Sequence, residues 1–265
     1  DLHRAYDYPV AQGHWNVDDN ELADLGVARI YDTYIGDEDT LMATDRIILR
    51  TARTLKRSGP ISTAVFHWQL AKEMQATAPH PETSMLLAAQ ECDVPIYTSS
   101  PGDSSIGMNL VVPQLFGDPI LLDPVRDIIE TTAIVRAAEK NGVIHVGGGS
   151  PKNFYLQTQP TLHQILQDKG GGGHDYFIQL TTDAPHWGGL SGATPSEARS
   201  WGKIADANLN NVVVYSCASI PLPILAQYVL IRNKPRTPRR LYNTLNTAVE
   251  ALREHAKKNP ELQSS

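Results

Sequence analysis

Lys203 is the residue whose setting most invites chemistry. It sits in the run Ser200-Trp201-Gly202-Lys203-Ile204, at the end of a short helical stretch and ahead of a β-branched run. A lysine held among apolar groups loses hydration, its pKa falls, and the neutral amine can attack a carbonyl or imine carbon. An ordinary solvated lysine does nothing of the kind, and context alone leaves both roles open. Upstream stands the Gly-rich turn Gly188-Gly189-Leu190-Ser191-Gly192, and further back Gly147-Gly148-Gly149 closes a strand-like run. Glycines there let a backbone approach a ligand, and a following helix offers N–H groups to phosphate. Neither the dinucleotide fingerprint nor the P-loop spacing is met, so a tight turn is the simpler reading.

Other groups carry weaker signals. Gly102-Asp103-Ser104-Ser105 together with Asp183-Ala184-Pro185-His186 copies the serine, aspartate and histidine layout of GDSL-type esterases, but no oxyanion-hole blocks accompany it, and the first segment is a natural turn. The nine histidines form no HExxH or HxH spacing, so His145, His174 and His186 read as packing or surface residues. Trp187 and Trp201 read as core anchors, with walls for a cationic ligand as the alternative. Cys92 and Cys217 lie far apart, which indicates neither a disulfide framework nor a zinc site.

These groups need a scaffold. Helical signals run from Asn20 to about Met74 in "NELADLG", "TDRIILRTARTLKR" and "ISTAVFHWQLAKEM", and "PETSMLLAAQEC" continues them. The opening "DLHRAYDYPVAQGHW" lacks a strand-like pattern, whereas "VPIYTSS" reads as a short β run. Thereafter the helix "DPVRDIIETTAIVRAAEKNG" precedes three strands, "VIHV", "HDYFIQLTTD" and "NNVVVYSCAS", and two helices close the chain. Strands alternating with helices predict an α/β fold, a Rossmann-like, doubly wound, mostly parallel sheet with flanking helices in one domain over 1–265. In such sheets ligands sit beyond the carboxyl ends of the strands, where "SSPGDSS", "GGGSPKN" and "TTDAPHWGGLSG" are expected to fall. The glycine run 170–173 reads as a flexible connection. The net charge of −6 argues against a nucleic-acid binder, and the absence of a long apolar run against a membrane span. A cytoplasmic protein is expected.

The segment Ser191-Gly192-Ala193-x-Pro195-x-Glu197-Ala198-x-Ser200-Trp201-Gly202-Lys203-Ile204 resembles the active-site stretch of deoxyhypusine synthases. "PGDSSIGM", "VGGGSPKN" and "VVVYSCASI" resemble other family segments, in family order, and the likeness runs from about Asp19 to about Ile231. The flavour is that of bacterial deoxyhypusine-synthase-like proteins, some of which make homospermidine. The resemblance implies NAD-dependent 4-aminobutyl transfer from spermidine through an imine on Lys203. It implies cofactor contacts at Asp103, Gly147, Gly148, Gly149, Thr182, Asp183, Cys217 and Ala218. Polyamine contacts are implied at Met108, Gly188, Gly189, Leu190, Glu197 and Trp201.

Departures from the family pattern bear on the acceptor. Asn153 stands where the family has a proton-handling histidine, Met108, Leu190 and Trp187 replace acids, and Cys217 replaces a ribose-gripping aspartate. The expected acceptor is therefore a small amine such as putrescine. A translation-factor lysine (true deoxyhypusine synthase) and an inactive scaffold or regulatory paralogue are the alternatives. The family's early segments have no counterpart before Asp1, so a fragment or a truncated paralogue is expected. A homo-oligomer, a tetramer with shared active sites, is implied by the family.

Overall fold

The structure, a computed structural model, describes residues 1–168, 170, 172–206 and 210–262. Gly171, part of the glycine run read as a flexible connection, lies outside the described residues. Two compact units divide the chain, Asp1–Pro124 and Val125–Ser265.

In the first unit Asp18 accepts from the Asn20 N–H and starts helix α1 (Asp19–Asp24). A small antiparallel sheet of three strands brackets it, with the strand at residues 33–36 in the middle. Strands β2 (Val27–Ile30) and β3 (Thr33–Gly36) form a hairpin, and β1 (Val10–Gln12) pairs with the other edge of β3. This corrects both the helical reading of this stretch and the strandless opening. The hairpin turns on Tyr31, at φ +55°, and Asp32, without the Asn-Gly or Asp-Gly pair that ordinarily marks such a turn.

Helices α2 (Met42–Thr54), α3 (Thr63–Thr77) and α4 (Met85–Glu91) form as their patterning predicts, α3 and α4 each capped by a serine hydroxyl. Their cores are Ile47, Leu70, Met74 and Leu87 on one side, Ile48, Phe66, Leu110 and Ile120 on the other. The β-like run 94–100 forms no strand. Side chains meet its backbone instead: His67 Nδ1 lies 2.8 Å from the Ile96 carbonyl oxygen, and the Thr98 N–H donates to Thr63 Oγ1 at 3.0 Å.

The second unit is mixed α/β. Helix α5 (Pro124–Ala137) leads to strands β4 (Gly142–Val146), β5 (Tyr176–Thr181) and β6 (Asn211–Tyr215), which pair parallel in chain order. Val146 stands opposite Leu180, and Leu180 opposite Val214. Helix α6 (Ser150–Leu156) follows β4, and α7 (Pro195–Ser200) lies between β5 and β6. Phe177 on the central strand packs with Leu156, Ala198 and Ile204, which seats both helices on one sheet face. Burying a side chain of this size contributes about 2 kcal/mol. Helices α8 (Pro221–Arg232) and α9 (Leu241–Lys257) end the unit. Leu252 of α9 packs on Ala133 and Val135 of α5, whereas α8 buries none of its residues.

Candidate active site

The position of Lys203 follows from how α7 ends. The helix starts on Thr194, whose Oγ1 accepts from the Glu197 N–H, with Pro195 in the first turn. It stops at Gly202, φ +68°, in a two-bond cap. The Gly202 N–H donates to the Arg199 carbonyl at 2.9 Å, and the Lys203 N–H to the Ala198 carbonyl at 3.0 Å. The glycine in Ser-Trp-Gly-Lys is thus a left-handed helix stop that aims the next side chain. The Lys203 carbonyl then accepts from the His174 N–H at 2.9 Å, fixing the residue from the other side.

The Lys203 amine is half-buried and donates to Asn153 Oδ1 at 2.9 Å. It lies 5.3 Å from the Trp201 ring centroid. Desolvation holds its pKa below the usual lysine value, while the Glu197 carboxylate pulls the other way. Around it is a cleft of about 50 Å³ lined by Asn153, Leu190, Glu197, Trp201 and Lys203, with Lys152 at its wall. That volume takes the end of a slender aliphatic amine.

Lys152 is a residue that sequence reasoning missed. It is 4% exposed, and its amine donates to Gln179 Oε1 at 3.0 Å and to the Ala193 carbonyl at 2.6 Å. Gln179, 1% exposed on the central strand, donates in turn to the carbonyls of Gly147 at 2.8 Å and Ser191 at 2.7 Å. A polar pair deep in a parallel sheet stands only because these donors and acceptors match. The signal in the sequence was Gln179 itself, the polar residue amid Phe177, Ile178, Leu180.

The proposed cofactor residues of this unit line up along one edge of the sheet. Gly147, Gly148 and Gly149 follow β4, Thr182 and Asp183 follow β5, and Cys217 and Ala218 follow β6. Gly147 and Gly149 have φ of +78° and +84°, and no atom lies within 4 Å of the place a Cβ would take. Gly148 differs: a Cβ there would lie 2.5 Å from Ser191 Cα, so its approach is to the chain's own Leu190–Gly192 turn. The Asp183 N–H donates to Thr181 Oγ1 at 3.0 Å. An open glycine edge beside a half-buried carboxylate fits a dinucleotide. At β6 the exposed Cys217 thiol, its pKa lowered by hydrogen bonds with Ser219, is the poorer partner.

Gly188, left-handed at φ +75°, and Gly189 carry the turn into Leu190, which is exposed. Trp187 and Trp201 are 72% and 61% exposed, so neither is a core anchor. His145 and His174 are buried and His186 exposed, as their spacing suggested. Asp103 and Met108 lie in the first unit, Asp103 in a short turn and Met108 exposed on the helix Ser105–Asn109. The esterase layout loses its nucleophile: the Ser104 hydroxyl donates to the Pro101 carbonyl and accepts from the Gly107 N–H as a helix cap. Among the described residues no hydrogen bond joins Asp183 to His186, and no cluster of side chains could hold a metal ion.

Residues 1–229 match the family model of deoxyhypusine synthase. The chain belongs to the deoxyhypusine synthase family. It is 43% identical over 267 residues to the "Deoxyhypusine synthase-like protein" of Thermosynechococcus vestitus, an alignment covering 96% of this chain and 66% of that relative. A protein of the same description from Cyanothece sp. is 44% identical, covering 95% and 66%. The "Probable deoxyhypusine synthase 2" of Methanosarcina acetivorans is 40% identical over 228 residues, 85% of this chain and 64% of that protein. The chain thus spans just under two thirds of the length of these relatives. No helix among the described residues is long and apolar enough to cross a membrane.

Proposed function

We propose that the protein is an NAD-dependent 4-aminobutyl transferase that takes its aminobutyl group from spermidine and passes it to a small amine such as putrescine, giving a homospermidine-type product. The observation that carries this is the Lys203 amine, partly desolvated, held by Asn153 and facing a cleft with Glu197 on its wall. A lysine suits the task because an amine, unlike a hydroxyl or thiol, can exchange one imine for another. Bound NAD would supply the acceptance and return of hydride, making the donor's carbon–nitrogen bond an imine and reducing the final imine to an amine.

Lys203 adds through its lone pair to the donor imine carbon, and 1,3-diaminopropane leaves as the carbon–nitrogen bond of the donor breaks. The butylamine unit then stays on Lys203 as an imine until the acceptor amine displaces it. Asn153 orients the lysine through its carbonyl oxygen and, being an amide, neither takes nor gives a proton. Glu197 is the anionic partner for a polyamine nitrogen, and Trp201 offers a ring face to a cation. Gly188, Gly189 and Leu190 shape the polyamine side. Gly147, Gly148, Gly149, Thr182, Asp183, Cys217 and Ala218 are assigned to the cofactor; Asp103 and Met108 keep the cofactor and polyamine roles the family likeness gives them.

The same proposal takes β4-β5-β6 as part of a doubly wound Rossmann-like sheet and the protein as a cytoplasmic homo-oligomer, a tetramer in the family manner. A second reading, modification of a translation-factor lysine, draws on the name of the archaeal relative.

Incubating the chain with NAD and spermidine and adding borohydride should leave a butylamine mass on Lys203, and Lys203→Ala should leave none. Offered putrescine and a factor lysine in competition, the protein should aminobutylate putrescine; transfer to the factor would favour the second reading. A wild-type protein that traps no mass is an inactive scaffold.

A further inference from the structure

We propose that Lys152 is a positioning residue for the chemistry at Lys203: it ties the Ala193 carbonyl to Gln179, so fixing the Leu190–Gly192 turn against the strand ends, and places a cation beside the reacting amine. The second half rests on the aminobutyl-transfer reading for its use; the geometry stands apart from it.

The clamp is closed on every side. Gln179 gives both amide hydrogens, to Gly147 and Ser191, and its Oε1 accepts from Lys152. Without Lys152, Oε1 and the Ala193 carbonyl both lose a donor in a buried place, a loss that buried polar groups do not tolerate well. The turn is seated tightly because Gly148 lacks a Cβ that would strike Ser191. Ala193 is followed by the cap Thr194, so a slack turn would pass its slack to α7 and to Lys203 at its end.

The charge is the stranger feature. Lys152 forms no ion pair among the described residues, and its buried amine meets two neutral oxygens and, 5.8 Å away, the Phe177 ring. A purely structural clamp would need only a neutral donor such as an amide, since an ammonium is costly to bury.

Its neighbours show what the charge does. Glu197 on α7 favours the ammonium at both Lys152 and Lys203, and Asp183 after β5 favours it further at Lys152. Arg199 donates to the Ile204 carbonyl at 3.2 Å. His145 on β4 stays neutral, its pKa about 4, and Asn153 cannot titrate. Lys152 and Lys203 line one cleft; burial lowers the Lys152 pKa first and the Lys203 charge lowers it further, and repulsion between like charges is mutual. A charged Lys152 therefore opposes Glu197 at Lys203 and favours the free amine there, the form that adds to an imine carbon.

The test needs neither cofactor nor polyamine. Trace acetylation with acetic anhydride, read by mass spectrometry across pH, reports the nucleophilic amine at position 203. In Lys152→Gln, which can still donate to the Ala193 carbonyl but has no charge, the labelling midpoint of Lys203 should move to higher pH and labelling at pH 7 should fall several-fold. Lys152→Met should show the same shift and, with NAD and spermidine, a deeper loss of trapped adduct than Lys152→Gln, because it loses the clamp as well. Thermal unfolding verifies that each variant folds, and one folded variant suffices for the midpoint. Midpoints that coincide with wild type overturn the proposal. A shifted midpoint in a protein whose wild type traps no adduct upholds the role of Lys152 and sinks aminobutyl transfer instead.

Discussion

Two buried imidazoles beside the site carry a pH liability of their own. His145 and His174 have pKa values of about 4, both pushed down first by burial, and His145 further by the charges of Lys152 and His174. Their Nε2 and Nδ1 atoms, respectively, have no hydrogen-bond partner among the described residues, so a protonated ring would bring a donor with nowhere to point. A histidine depressed in the folded state stabilises fully above its unfolded pKa, and that stability drains away as pH falls from about 6.5 towards 4. Each ring is worth about 3 kcal/mol over the whole window. Melting temperature, followed by circular dichroism, should therefore be flat above pH 7 and drop on the order of 10 °C by pH 5. His145→Leu should flatten part of that slope, and a wild-type melting point indifferent to pH between 7 and 5 would contradict the burial argument. Lys152 was invisible at this scale in the sequence: a lysine one residue after a proline at a helix start reads as solvated, and its burial depends on Gln179, which is 27 residues away.

At the scale of elements, legibility followed local chemistry. The helix Met42–Thr54, with its apolar periodicity, and the helix Thr63–Thr77, with its serine cap, were readable because what makes them is local. The hairpin at Val27–Gly36 was not, since Tyr31-Asp32 makes its turn without a recognisable turn pair. Residues 94–100 carried β-type side chains and no partner strand, and the side chains of Thr63 and His67 took the place of a ladder. Two of the three expected carboxyl-edge segments, "GGGSPKN" and "TTDAPHWGGLSG", follow parallel strands that place their ends side by side, whereas "SSPGDSS" follows no strand because 94–100 forms none. The α7 stop is the element on which the site turns. Gly202→Ala would force a side chain into left-handed backbone with its Cβ 2.8 Å from His163 Cε1. Such strain costs about 1–2 kcal/mol. The expected outcome is a melting point lower by a few degrees together with a loss of borohydride-trapped adduct that Asn153 cannot repair. Unchanged trapping would show that the aim of Lys203 does not depend on the cap.

For the whole molecule, helix α8 poses the question of assembly. Ile224, Tyr228, Leu230 and Ile231 are all more than half exposed, and the helix is apolar on all sides, a character that belongs to helices inside a larger body. Scattered apolar residues on a surface need no explanation, but a twelve-residue helix with none of its side chains buried does. The proposed homo-oligomer offers a second copy as the cover, and the mild negative charge of the chain is no obstacle to self-association once apolar area is removed from water. Light scattering behind size exclusion should then report a mass above one chain that falls on dilution. Ile224→Glu with Leu230→Glu should return the protein to monomer with its melting curve intact, since neither side chain packs within its own unit. If the double variant keeps the oligomer, the assembly uses another face; if the wild type is monomeric at micromolar concentration, α8 is covered by something other than this chain. Trapping on Lys203 in the monomeric variant decides whether assembly and chemistry are coupled, because a site completed within Val125–Ser265 would keep its adduct and a shared one would lose it.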